Sequence, residues 1–130
     1  MGLDIRVIYG DTDQMGVVYY ANYLRYFEAS RGWFLHDRGH SYADLEKLGF
    51  ALPVVEAHVR YRAPARYDDL ICVTPVIEKV GGASLRFGYT VTRGGKSLAD
   101  GYTVHACVDR DGRPTRLPAE MRRFLGDAGV

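Results

Sequence analysis

The chain has 130 residues, is 47% hydrophobic, and carries a formal net charge of +1 from 17 basic and 16 acidic side chains. That size suits one compact domain over residues 1–130, able to bury a core without disulfides or metal. The near-neutral balance argues against a nucleic-acid partner, which calls for a basic excess, and no apolar run approaches the roughly 20 residues of a membrane span.

The N-terminal MGLDIRVIYG lacks the basic-then-apolar pattern of a secretory leader, and Arg6 stands where a myristoylation signal needs Ser or Thr. A cytoplasmic location is expected. Ile5 to Tyr9 alternates apolar and polar residues and predicts a first strand. From Tyr20 to Arg38 the period becomes helical. Leu24, Phe27, Arg31 and Phe34 share a stripe, with Tyr20, Tyr23 and Trp33 beside it, and Gly39 is the stop. A short second helix is predicted with Ser41 as its N-cap, Asp44 in the capping-box position, an apolar face of Leu45 and Leu48, and Gly49 as its end.

After Pro53 the period is two. Val54–Tyr61, Leu70–Lys79, Ser84–Thr92 and Lys96–Val108 read as strands, with Gly81-Gly82 and Gly94-Gly95 as tight turns between antiparallel neighbours. Pro75 predicts a bulge or an unpaired edge in the third strand. Asp109 to Gly112 is a further turn, and Pro118, Met121, Phe124 and Leu125 predict a terminal helix. An early helix followed by a long antiparallel sheet is an α+β plan, with the sheet wrapping the helix.

The segment Tyr9 to Glu28, YGDTDQMGVVYYANYLRYFE, carries the chemistry. Asp13 lies just before a helix start, where unpaired backbone N–H groups and the positive end of the helix dipole gather. Such N–H groups stabilise an oxyanion while a neighbouring carboxylate attacks or activates water, which suits acyl transfer. Gly16 lets the backbone turn close to a substrate. Asp11 reads as a turn-forming or capping residue.

Order and motif together resemble the hotdog-fold acyl-CoA thioesterases of the 4-hydroxybenzoyl-CoA thioesterase family, including its Tol–Pal-linked branch. The resemblance runs from about Ile5 to Val108 and is strongest in the first segment and in YRAPARYDD, Tyr61 to Asp69. It implies a hotdog fold, a long central helix wrapped by a five-stranded antiparallel sheet. It implies hydrolysis of an acyl-CoA to free acid and coenzyme A, with Asp13 as nucleophile or general base and the Tyr20 backbone N–H as oxyanion donor. Tyr9 matches a tyrosine that opens the motif in the Tol–Pal-linked branch. Tyr20 stands where that branch has histidine, so a backbone role fits position 20. Gly16, Val17 and Asn22 belong to the same motif and are expected to bind substrate. The family's assembly implies a homodimer or homotetramer with shared sites.

Arg60, Arg62 and Arg66 form a basic group around the second motif, and arginine forks suit the coenzyme A phosphates. Glu28, on the helix after the motif, either reaches the loop or a neighbouring subunit or is an ordinary polar helix residue. No cofactor is expected, coenzyme A being part of the substrate. Asp11, Asp13 and Gly16 match three positions of a calcium loop, but Met15 and Asn22 fall where carboxylates are needed. His36, His40, His58 and His105 lack zinc spacing, and no G-x-S-x-G elbow occurs. Cys72 and Cys107 lack C-x-x-C spacing and read as small buried residues. A non-catalytic acyl-CoA-binding subunit and a thioesterase for acyl carrier protein are the alternative functions.

Overall fold

The computed structural model describes residues 1–128, without the side chains of residues 124 and 126–128. The expected role of Phe124 on the terminal helix therefore lies outside the described residues. The elements run β1 (Leu3–Arg6), α1 (Asn22–Asp37), α2 (Tyr42–Lys47), β2 (Val54–Tyr61), β3 (Leu70–Val80), β4 (Ser84–Arg93), β5 (Lys96–Ala106) and α3 (Ala119–Ala128). The strands make one antiparallel sheet in the order β1-β3-β4-β5-β2, so β2 stands at an edge, beside β5.

Alternation along β3 and β4 sends Ile71, Val73, Leu85, Phe87, Tyr89 and Val91 to one face, all buried. Helix α1 packs there. Phe27 stacks on Tyr89 with ring centroids 4.1 Å apart, and Phe34 meets Phe87 edge-on at 5.7 Å. The helix comes so close that a Cβ on Gly101 of β5 would sit 3.0 Å from the Phe27 ring. The His58 carbonyl oxygen of β2 would lie closer still, so glycine at 101 admits both the neighbouring strand and the helix. Met121 and Leu125 of α3 close the far end of the same core with Leu35 and Leu45.

A buried polar chain crosses this core. Arg31 Nη1 donates to the Tyr89 hydroxyl (3.1 Å), which lies 2.7 Å from Thr103 Oγ1. Thr103 Oγ1 is 2.8 Å from His105 Nε2, and His105 Nδ1 is 3.0 Å from the Leu52 carbonyl. A carbonyl only accepts, so Nδ1 carries the proton and Nε2 accepts from Thr103, giving one direction from Arg31 to Leu52. Burial pushes the His105 pKa down, the bond to Leu52 opposes this, and Arg31 adds to the lowering. Arg31 Nε is the one buried side-chain polar atom left unpaired among the described residues.

Several expectations shift. The first strand is Leu3–Arg6 rather than Ile5–Tyr9, because Tyr9–Asp11 winds into a 3₁₀ turn closed by Asp11 N–H to Ile8 O (3.0 Å). Leu24 is 40% exposed and Leu48 51% exposed, so neither belongs to a buried stripe. Pro75 pairs in regular register with Tyr89, and the bulge falls later, between Ile77 and Lys79. The partners of β1 on β3 end at Val73, so the missing N–H of Pro75 falls beyond that pairing. Ser41 does cap α2, accepting from the Asp44 N–H at 3.2 Å. Cys107 is buried, whereas Cys72 is only partly so; both are free thiols.

Candidate active site

The loop between β1 and α1 is folded by its own backbone and pinned on two sides. Asp13 opens a turn in which Gly16 N–H donates to the Asp13 carbonyl (2.9 Å) and Asp13 N–H donates to Val17 O (2.9 Å). Gly16 has φ +79°, a conformation side chains resist, so glycine suits this turn. Val18 N–H donates to Ala65 O (2.8 Å), and Val17 bridges to Arg66, which ties this loop to the second motif. That second loop is itself held by Asp69. Its carboxylate accepts the Arg66 N–H (2.8 Å) and Arg93 Nη1 (2.7 Å), and these bonds, the backbone one foremost, lower its pKa.

A cleft of about 310 Å³ opens between these loops and the C-terminal end of β2. Asp13 and Arg62 supply its charged groups, Val17, Val18, Ala63 and Pro64 an apolar wall, and Tyr20, Tyr23 and Tyr61 an aromatic one. The Asp13 carboxylate is partly exposed and accepts the Met15 N–H at 2.9 Å, leaving it accessible. Helix α1 starts without a side-chain cap, its N-cap position being Ala21. The N–H groups of Asn22, Tyr23 and Leu24 turn back to the carbonyls of Tyr19, Tyr20 and Ala21 (2.9, 3.3 and 3.2 Å). The Tyr20 N–H has no acceptor among the described residues. Asp13 and Tyr20 thus line one cleft, with Tyr20 two residues before the start of α1.

The remaining expected site residues are placed less centrally. Tyr9 is 73% exposed and stacks on Tyr67 with centroids 3.7 Å apart; it does not line the cleft. Asn22 points its amide back into the loop, Nδ2 donating to the Asp11 carbonyl at 2.9 Å. The three arginines have different settings. Arg60 lies opposite Asp100 in the β2–β5 register, Arg62 is ion-paired with Asp100 at the cleft, and Arg66 is exposed in the second loop. Glu28 lies 4.0 Å from Arg31 and is otherwise exposed.

A second groove, about 330 Å³, lies on the outer face of the sheet. Its charges are already paired: Arg86 with Glu78 at 2.8 Å, and Arg62 with Asp100. The Asp13 cleft is the better candidate because no ion pair among the described residues holds its carboxylate. Among the described residues no group of three or more His, Cys, Asp or Glu side chains could hold a metal ion, and no helix is long and apolar enough to cross a membrane.

The thioesterase-like superfamily matches residues 7–125 of this chain, nearly all of it. The chain belongs to that family. Thioester hydrolysis is accordingly its class of activity. The acyl-CoA thioesterase YbgC of Haemophilus influenzae is 33% identical over 120 residues, covering 91% of this chain and 88% of its own. The crystal structure of protein TT1821 from Thermus thermophilus superposes with a TM-score of 0.93 at 38% identity, covering 97% of both chains. A DHNA-CoA thioesterase from Staphylococcus aureus superposes with a TM-score of 0.84 at 31% identity, covering 96% of this chain and 83% of that one.

Sequence reasoning passed over Tyr61 and Tyr23 as parts of the cleft. Tyr61 is the last residue of β2, and its hydroxyl donates to the Tyr20 carbonyl at 2.9 Å. A tyrosine ending an edge strand gives no local sign of such a long-range partner. Asp11, expected as a turn-forming or capping residue, does both, ending the Tyr9–Asp11 turn while its carboxylate accepts the Ile8 N–H at 3.3 Å; what the sequence did not show is that it is buried, 8% exposed.

Proposed function

We propose that this chain, a single hotdog domain over residues 1–130 in which the sheet wraps α1, hydrolyses acyl-CoA thioesters in the cytoplasm. One observation carries the reading: Asp13 and Tyr20 line the same cleft, and the Tyr20 N–H has no acceptor among the described residues. The thioester carbonyl oxygen accepts the Tyr20 N–H, and the helix dipole steadies the charge that grows there. By one route the Asp13 carboxylate attacks the carbonyl carbon and expels coenzyme A thiolate. Water then hydrolyses the resulting anhydride to free acid and regenerates the carboxylate. By the other, Asp13 takes a proton from water as its oxygen attacks, and passes that proton to the departing thiolate. Neither route calls on a cofactor.

Tyr23 and Tyr61 give the acyl group an aromatic wall. Arg62, with Arg60 and Arg66 nearby in sequence, offers guanidinium groups to the coenzyme A phosphates. The unpaired edge of β2, with Val54 46% and Val55 62% exposed, is the natural seam for a second copy, because exposed strand edges invite pairing. The site would then lie beside the seam in a homodimer or homotetramer.

The test is turnover of a panel of aliphatic and aromatic acyl-CoAs beside the matched acyl carrier protein thioesters. Release of coenzyme A at a preferred member of the first set supports the reading. Turnover of the carrier-protein thioesters alone moves the substrate class, and binding without turnover leaves a holding subunit in its place.

A further inference from the structure

The buried acid two residues before Asp13 is tied to more of the site than any other side chain in the loop. Asp11 Oδ2 accepts the Tyr26 hydroxyl at 2.9 Å and the Ile8 N–H at 3.3 Å. The Asp11 carbonyl accepts the Tyr19 N–H at 2.9 Å and Asn22 Nδ2 at 2.9 Å. One residue thus gathers bonds from the chain before the loop, from the turn leading into α1, and from the first two turns of the helix. A carboxylate this buried is costly to keep without donors, and here the side-chain donor, Tyr26, comes from α1, whose Tyr23 lines the cleft.

Geometry gives those bonds a consequence for chemistry. Asn22 and Tyr26 are four apart, so they share a helix face and hold Asp11 between them. Fixing the Tyr19 N–H on Asp11 sets the peptide that precedes the Tyr20 N–H. Fixing the Asp11 side chain sets the strand-like step, Thr12 to Val18, from which the Asp13 turn hangs. Asp11 and Tyr26 do not line the cleft.

We propose that Asp11 and Tyr26 form a positioning pair that locks the Asp13 loop to the start of α1, so that carboxylate and oxyanion donor meet the thioester together. The inference rests on the reading of Asp13 and Tyr20 given above. Small misplacements of a reacting group are expensive in rate, up to about a hundredfold for about 1 Å. Burial, then the bond and charge of Asp11, raise the Tyr26 pKa above its ordinary value of 10, which keeps the phenol protonated as a donor.

The experiment compares Tyr26→Phe, Asp11→Asn, Asp11→Ala and Asp13→Asn with the parent protein. Three readouts are taken: kcat on the best acyl-CoA of the panel, the Kd of free coenzyme A by calorimetry, and the melting temperature. Tyr26→Phe is expected to lose at least fivefold in kcat while the coenzyme A Kd stays within twofold. Asp11→Asn keeps an oxygen acceptor for both donors and is expected to stay within fivefold of the parent in kcat. Asp11→Ala should fall at least as far as Tyr26→Phe; should it not fold, Tyr26→Phe decides alone. A smaller loss in Tyr26→Phe, or one matched by weaker coenzyme A binding, overturns the positioning role. An Asp11→Asn loss equal to that of Asp11→Ala overturns the hydrogen-bond pairing. If Asp13→Asn itself keeps its kcat, the underlying reading of the site fails, and that outcome is separate from the other two.

Discussion

The Tyr61 hydroxyl donates to the Tyr20 carbonyl across 2.9 Å, joining the end of the edge strand β2 to the turn that leads into α1. The bond uses the carbonyl of Tyr20 and leaves its N–H free. Tyr20, 60% exposed, is one of the residues that line the cleft.

Removing the phenol at position 20 should therefore matter little. Tyr20→Phe keeps the N–H and the ring, and its kcat is expected to fall less than tenfold, under about 1.4 kcal/mol of transition-state stabilisation. Tyr9→Phe, measured beside it, should also be mild, since Tyr9 stacks on Tyr67 outside the cleft. A loss of about a hundredfold at Tyr20 alone would assign the oxyanion to its side chain.

The exposed edge of β2 leads to a prediction about assembly. Static light scattering on dilute protein should give a dimer or tetramer, because an edge strand bearing Val54, Val55 and Tyr61, all exposed, is unfavourable in a lone copy. A stable monomer with full activity would remove the shared-site arrangement.

Stability should depend on pH through His105. Its folded pKa is lowered by burial, so the unfolded chain takes up a proton near pH 6.5 before the folded chain does. The stabilisation is present above about pH 6.5 and is lost as pH falls through the lower folded value. Protonation also adds a donor at Nε2, where the Thr103 hydroxyl now donates, and it adds charge near Arg31. Melting temperatures between pH 7.5 and pH 5 should fall more steeply for the parent than for His105→Gln. Equal slopes would mean that the histidine titrates alike in both states.

Much of the fold was legible because the signals were local. Period-two patterning and paired glycines gave β2 through β5 to within about two residues, and the Ser41 cap and Gly49 stop gave α2. The first strand ran late because Ile8 and Tyr9 look strand-like, while the Asp11 N–H and carboxylate both turn back on Ile8. Leu24 and Leu48 read as core because apolar spacing shows a face without showing whether anything covers it. In the motif, the place of Asp13 in the loop before α1 was legible. The burial of Asp11 was not, since its partner Tyr26 lies 15 residues away. The one available hint was a tyrosine on the buried face of α1, whose hydroxyl needs a partner.

The most direct test of the account is kcat for Asp13→Asn on the best acyl-CoA of the panel. The amide keeps the shape and the acceptor for the Met15 N–H, but loses both nucleophile and base. The account predicts a fall of more than about a hundredfold with fold and coenzyme A binding nearly unchanged. Near-normal kcat in this variant would contradict it.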